Sequence, residues 1–120
     1  MAPQSRSGLP GRLFVLAGSL SLSACAKDDG ASLWRLKCAS CHGATGRGDT
    51  KFSAGRPYSN LLDDSFRHGG SFEEMRTLVA KGDPKSPMPA FEGRLTAAEI
   101  DLVVRYVEEL RRKGRPEGAP

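Results

Sequence analysis

Two thiols and an imidazole are gathered in one short stretch, Cys38-Ala39-Ser40-Cys41-His42. Two cysteines at this spacing near a helical turn can add to the two vinyl groups of one haem. The adjacent histidine then reaches the iron from the proximal side. Two other chemistries use the same residue types. A structural zinc site wants four tetrahedral ligands, usually with a second Cys/His pair at similar spacing; no such pair occurs, and His68 is the only other histidine. A thioredoxin-like redox pair wants a strand before the motif, whereas Gly30 to Lys37 reads as helix. The expectation is one covalently bound haem c per chain, with Cys38 and Cys41 as attachment points and His42 on the metal.

A low-spin electron carrier needs a sixth ligand. His68, Met75 and Met88 are the candidates, because Met1 leaves with the N-terminal segment described below. Met88 lies in Ser86-Pro87-Met88-Pro89, where flanking prolines forbid regular helix and stiffen the loop. A thioether on a stiff loop can be held against iron at little entropic cost. Met75 falls on the apolar stripe of a helix and reads as core, and His68 beside Gly69-Gly70 reads as a surface turn residue. Met88 is therefore the expected second axial ligand.

Three main helices must position these groups. The last opens with the capping box Thr96-Ala97-Ala98-Glu99. Ile100, Val103, Val104, Val107 and Leu110 then recur on one face, and Gly114 is expected to stop the helix after Arg111, Arg112 and Lys113. The middle one starts at the box Ser71…Glu74 and runs to about Lys81, with Phe72, Met75, Leu78 and Val79 on its buried face. The first starts after Asp28 or Asp29 and runs into the cysteine motif, with Gly30, Trp34 and Cys38 forming one stripe. Gly43 to Asn60 is polar and glycine-rich and reads as loop, with a turn of helix expected near Leu61 to Phe66. Runs of alternating β-branched residues are missing, so the fold class is all-α.

The N-terminus has a separate purpose. Arg6 and Arg12 precede a short apolar stretch, Leu13 to Leu22, about half the length of a membrane-crossing helix. It reads as an export signal. Leu22-Ser23-Ala24-Cys25 resembles the lipobox of bacterial lipoproteins, which makes Cys25 the expected lipidated first residue of the mature chain. Lipid chains would hold the protein at the periplasmic side of a membrane, and Ala26 after the cysteine favours the outer membrane. The expected organisation is a signal over 1–24, an anchor and linker over 25–29, a folded domain over 30–113 and a tail over 114–120. Losing Arg6 and Arg12 lowers the net charge from +4 to +2, and two haem propionates would bring it near neutral. Nothing here favours a nucleic acid as partner.

Gly30, Trp34, Cys38-x-x-Cys41-His42-Gly43, the glycine-rich loop, Met88-Pro89 and the terminal helix together resemble class I cytochromes c of the short bacterial kind. The resemblance covers about residues 28–112. It implies a small fold around one haem in which the first and last helices cross, Gly30 and Trp34 meeting Val103 and Tyr106. It also implies a proline carbonyl that accepts from the ligating histidine, with Pro57 as candidate; the spacing from Pro57 to Leu61 departs from the Pro-x-Leu pattern of many relatives. Arg56, Tyr58 and Asn60 could donate to the haem propionates or equally be solvated loop residues. With His42 and Met88 filling both axial positions, the implied function is reversible one-electron exchange between donor and acceptor proteins, not catalysis. Two alternatives stand beside it: a haem subunit of a larger membrane complex, and a peroxidase or gas sensor in which Met88 is labile.

Overall fold

The computed structural model describes residues 29–64, 66 and 68–114, with 11 and 18 as isolated positions. Cys25 lies outside the described residues, as do residues 26–28 of the expected linker, the expected signal segment apart from positions 11 and 18, and the tail beyond Gly114. Four α-helices follow in order: α1 over Gly30–Lys37, α2 over Ala39–His42, α3 over Phe72–Lys81 and α4 over Ala97–Gly114, with a 3-10 turn at Pro57–Ser59. The described residues contain no strand, and an isolated bridge pairs Glu92 with Leu95.

Local chemistry sets the helix ends. The Asp29 carboxylate accepts from the Ser32 N–H at 2.7 Å and starts α1. Ser71 and Glu74 form a reciprocal box at α3, at 3.2 and 3.0 Å. Thr96 and Glu99 do the same at α4, at 3.1 and 2.9 Å. Each such cap contributes about 1 kcal/mol. The expected single helix into the cysteine motif is broken at Cys38, whose backbone (φ −121°, ψ −38°) leaves the helical region. Its N–H still bonds to Trp34 O at 2.9 Å, while its carbonyl accepts from His42 N–H at 3.0 Å. Cys38 thus closes α1 and opens α2, which turns the two cysteines around a corner.

Two other expectations are corrected. The segment after Leu61 is not a turn of helix among its described residues, because its carbonyls are satisfied from outside it. Arg111 donates from Nη1 to Leu61 O (2.5 Å) and Asp63 O (2.9 Å). Its Nη2 pairs with Asp64 Oδ1 at 3.0 Å, and the guanidinium lies 4.3 Å from the Phe66 ring centroid. Gly114 is the last residue of α4, one position inside the helix where the sequence placed it just beyond the end. A Cβ there would lie 2.7 Å from Leu62 Cδ1, so the bare backbone lets the helix end rest on that loop.

The core forms where α1 and α3 pack on α4. Leu33, Trp34, Met75, Phe91, Leu95, Ile100, Val103, Val104 and Val107 are buried together. At the α1–α4 crossing, a Cβ on Gly30 would fall 2.4 Å from Leu102 O and 3.0 Å from Tyr106 Cβ. The Trp34 and Tyr106 rings fill the side of the crossing, with centroids 6.0 Å apart. Arg76 and Asp101 tie α3 to α4 at the surface, where Arg105 also covers the Phe72 ring. Because the atom facing Gly30 is backbone, no rotamer change relieves a larger side chain. Gly30→Val is expected to force the helices apart and cost about 1–3 kcal/mol, each kcal/mol lowering Tm by about 4–8 °C in a domain of this size. Thermal melts of wild type, Gly30→Ala and Gly30→Val should rank in that order, and equal midpoints would refute the close approach.

Candidate haem site

A cavity bounded by α1, α2, α3, α4 and their connecting loops holds about 1170 Å³ of empty space, open mouth included. Its apolar wall is Trp34, Leu61, Phe66, Met75, Leu78, Val79, Phe91, Val103, Val104 and Val107. Cys38, Cys41, His42 and Met88 all line the same cavity. The fold therefore brings together the four residues that the sequence singles out from two distant segments. Met75 is buried in the core, as expected, and also lines this wall.

The histidine is oriented by backbone. His42 Nδ1 lies 2.9 Å from the Ser59 carbonyl. A carbonyl only accepts, so Nδ1 carries the proton and Nε2 is the free lone-pair nitrogen of the neutral ring. Burial lowers the pKa of His42, outweighing the opposite pull of the Ser59 carbonyl, and so keeps the ring in this neutral form. The acceptor is thus Ser59 and not Pro57. Pro57 opens the 3-10 turn, and its own carbonyl closes that turn by accepting from Asn60 N–H at 3.2 Å. Gly48 makes the approach possible: a Cβ there would lie 2.5 Å from Ser59 Oγ and 2.8 Å from Ser59 C.

The cysteine turn is held as firmly. The Cys41 carbonyl accepts from Thr50 Oγ1 at 3.0 Å and from the buried Ser53 hydroxyl. Trp34 Nε1 donates to Gly43 O at 3.1 Å, which sets the indole 5.9 Å from the His42 ring. Neither Cys38 nor Cys41 is in a disulfide. Burial pushes the Cys38 thiol up to about 11, with Cys41 beside it adding to the rise. Cys38 is therefore a neutral S–H, a bond that addition across a vinyl group consumes without any change of oxidation state.

Of the expected propionate contacts, Arg56 and Tyr58 line the cavity and Asn60 does not. Asn60 Oδ1 instead accepts from Leu62 N–H at 3.0 Å and shapes the loop. The Arg56 guanidinium sits 5.2 Å from the Phe52 ring centroid, with Nη1 bonded to Phe52 O. Lys37, which the sequence did not mark, also lines the cavity and adds a second cation. His68 is a part-exposed turn residue that also lines the cavity, and it bonds to Asp83 at 3.0 Å. The alternatives to haem fare poorly on this geometry. Helix α1, not a strand, precedes the motif. Among the described residues no group of three or more Cys, His, Asp or Glu is arranged to hold a metal ion. An apolar cavity with two thiols, a neutral imidazole and a thioether on its walls fits a haem.

Helices α1 and α4 crossing over such a cavity, with Cys-x-x-Cys-His at its edge, define a class I c-type cytochrome. Comparison with known proteins agrees. The family model described as cytochrome c oxidase, cbb3-type, subunit III, matches residues 26–107, and the chain belongs to that family. The chain is 36% identical over 115 residues to the cbb3-type cytochrome c oxidase subunit CcoP of Rhodobacter capsulatus, covering 87% of this chain and 36% of that one. It thus spans about a third of the length of that curated relative. It is 38% identical over 87 residues to cytochrome c6 of Microcystis aeruginosa, covering 72% of this chain and 99% of that one. The solved cytochrome c6 of the diatom Phaeodactylum tricornutum superposes with a TM-score of 0.57 at 30% identity, covering 72% and 94% of the two chains. The cofactor is covalently bound haem c, and the function is electron transfer.

Proposed function

We propose that Cys38 and Cys41 carry the two thioether bonds, that His42 and Met88 are the axial ligands, and that the exported domain is a one-electron carrier tethered by lipid on Cys25. The observation that carries this reading is the single cavity lined by all four haem-directed residues. The bound haem supplies the Fe(III)/Fe(II) couple, with methionine favouring the reduced iron. The chain's own residues hold the couple in place. Ser59 fixes the His42 ring, α1, α3 and α4 exclude water with valine and aromatic side chains, and the prolines beside Met88 keep its thioether in reach. Arg56, Tyr58 and Lys37 offer donors for the propionates. Partners are proteins that give and take one electron through small, short-lived contacts.

The anchor reading rests on the lipobox resemblance and on a family match that starts at residue 26, just past Cys25. No helix among the described residues is long and apolar enough to cross a membrane. Cys25→Ser should move the holoprotein from the membrane pellet to the soluble periplasmic fraction, and it should abolish incorporation of labelled palmitate. Pelleting and labelling at wild-type levels would remove Cys25 as the anchor. With Ala26 following, the outer membrane is the expected destination.

A second reading is favoured by the family itself: the domain serves as the haem subunit of a larger membrane oxidase, since the CcoP relatives are named as subunits of cbb3-type cytochrome c oxidase. Near-complete coverage of cytochrome c6 supports the free carrier instead. Mild detergent extraction followed by native electrophoresis separates the two. A carrier migrates alone as a haem-staining band, and a subunit migrates with stoichiometric partners.

A further inference from the structure

Met88 is held by its own loop, and one carboxylate ties that loop to the segment before α3. Gly82 ends α3 at φ +68°, where a Cβ would meet Ala90 N at 2.6 Å, Pro89 C at 2.7 Å and Met88 O at 2.9 Å. The chain leaving α3 therefore runs directly against the Met88 backbone. Asp83 N–H donates to Met88 O at 3.1 Å and closes the loop at its base, while Ser86 N–H donates to the Asp83 carbonyl at 3.1 Å. The Asp83 side chain is buried, and both its oxygens are used. Oδ1 accepts from Lys85 N–H at 2.9 Å, and Oδ2 accepts from His68 Nε2 at 3.0 Å. His68 comes from the segment before α3, its side chain 41% exposed against 6% for Asp83. His68, Asp83 and Met88 all line the haem cavity.

The geometry points to His68 and Asp83 as a latch: a pair of positioning residues that ties the segment before α3 to the Met88 loop and so holds the thioether against the iron. This rests on the reading that Met88 is the axial ligand. A hydrogen bond with a charged partner is among the stronger ones available to a side chain, and here it bridges two segments that meet across the helix α3 that separates them in sequence. Pro87 and Pro89 stiffen the loop within itself, but they do not fix where the loop sits. Phe91 N–H to Val79 O and Glu92 N–H to Ala80 O, at 3.0 and 3.1 Å, tie the chain after the loop to α3, and the latch adds the tie to the segment before α3. A merely stabilising ion pair would change the melting temperature and leave the iron–sulfur bond alone; a latch changes how often that bond opens.

The test is the rate of carbon monoxide binding to the reduced holoprotein, read beside the near-infrared sulfur-to-iron band of the oxidised form. His68→Ala and Asp83→Asn should each speed carbon monoxide binding roughly tenfold or more, as expected for losing a hydrogen bond to a charged group. Their combination should be no faster than the faster single variant, because the pair acts as a unit. His68→Gln keeps an N–H at the right reach and should bind near the wild-type rate. His68 is exposed, so His68→Ala tests the latch even if Asp83→Asn folds poorly. Wild-type rates in His68→Ala, equal rates in His68→Gln and His68→Ala, or fully additive single effects would each overturn the latch. If Met88→Ala retains the wild-type near-infrared band, the ligand reading itself falls, which the His68 variants alone do not signal.

Discussion

Alanine in place of Cys38 or Cys41 is expected to leave haem joined through one thioether bond, and the double variant should yield no protein that keeps its haem on denaturation. The effect should be large because the polypeptide encloses the cofactor with little core to spare. The buried apolar set lies on α1, α3, α4 and the stretch at Phe91 and Leu95, and much of it faces the cavity. Domains of this size are marginal on apolar burial alone. The two positions should not be equivalent. Cys38 sits half-buried at the corner between α1 and α2, and the Cys41 carbonyl is clamped by Thr50 and Ser53. The pyridine haemochrome spectrum counts the remaining vinyl groups, and mass spectrometry of the denatured protein detects the attached haem. A wild-type α-band maximum with full haem retention in either single variant would show that its sulfur forms no thioether bond.

Met88→Ala should have the second-largest effect. It removes the thioether, opens the sixth position and abolishes the near-infrared band of the oxidised protein. The midpoint potential should fall by on the order of 0.1 V, a fraction of the roughly 0.8 V range over which axial ligands tune haem. Carbon monoxide should then bind the reduced protein at once at neutral pH. Met75→Leu is the matched control, since Met75 is a buried α3 residue among apolar neighbours and a volume-conserving swap costs less than about 1.5 kcal/mol. Loss of the band in Met75→Leu with its retention in Met88→Ala would exchange the two roles.

The parts of this fold that the sequence exposes are those written in side chains. Capping boxes at Ser71 and Thr96, the apolar stripe of α4, the Gly30–Trp34 face and the prolines around Met88 each act through chemistry that a residue type announces. Parts written in the backbone stay hidden. The carbonyl facing His42 belongs to Ser59, whose hydroxyl carries no sign of that role; reading it required knowing that Pro57 begins a 3-10 turn and spends its own carbonyl there. Arg111 shows the same limit from the other side. Its charge suits a helix C-terminus, yet it reaches across to bind carbonyls at Leu61 and Asp63, about fifty positions earlier in the chain, and keeps that loop from coiling. Asp83 carries no signal in the sequence, and His68 reads only as a surface turn residue, until α3 brings the segments at its two ends together. Asn60 was marked by its polarity, but a local turn claims its oxygen.

The proposed function is reversible one-electron exchange through one covalently held haem with both axial positions filled by the chain. A spectroelectrochemical titration of the holoprotein's α band, run in both directions with and without carbon monoxide, tests it most directly. A single one-electron wave is expected, superimposable on oxidation and reduction, with a midpoint that carbon monoxide leaves unmoved at neutral pH. A midpoint that shifts with carbon monoxide, or a wave that fails to retrace, would contradict it.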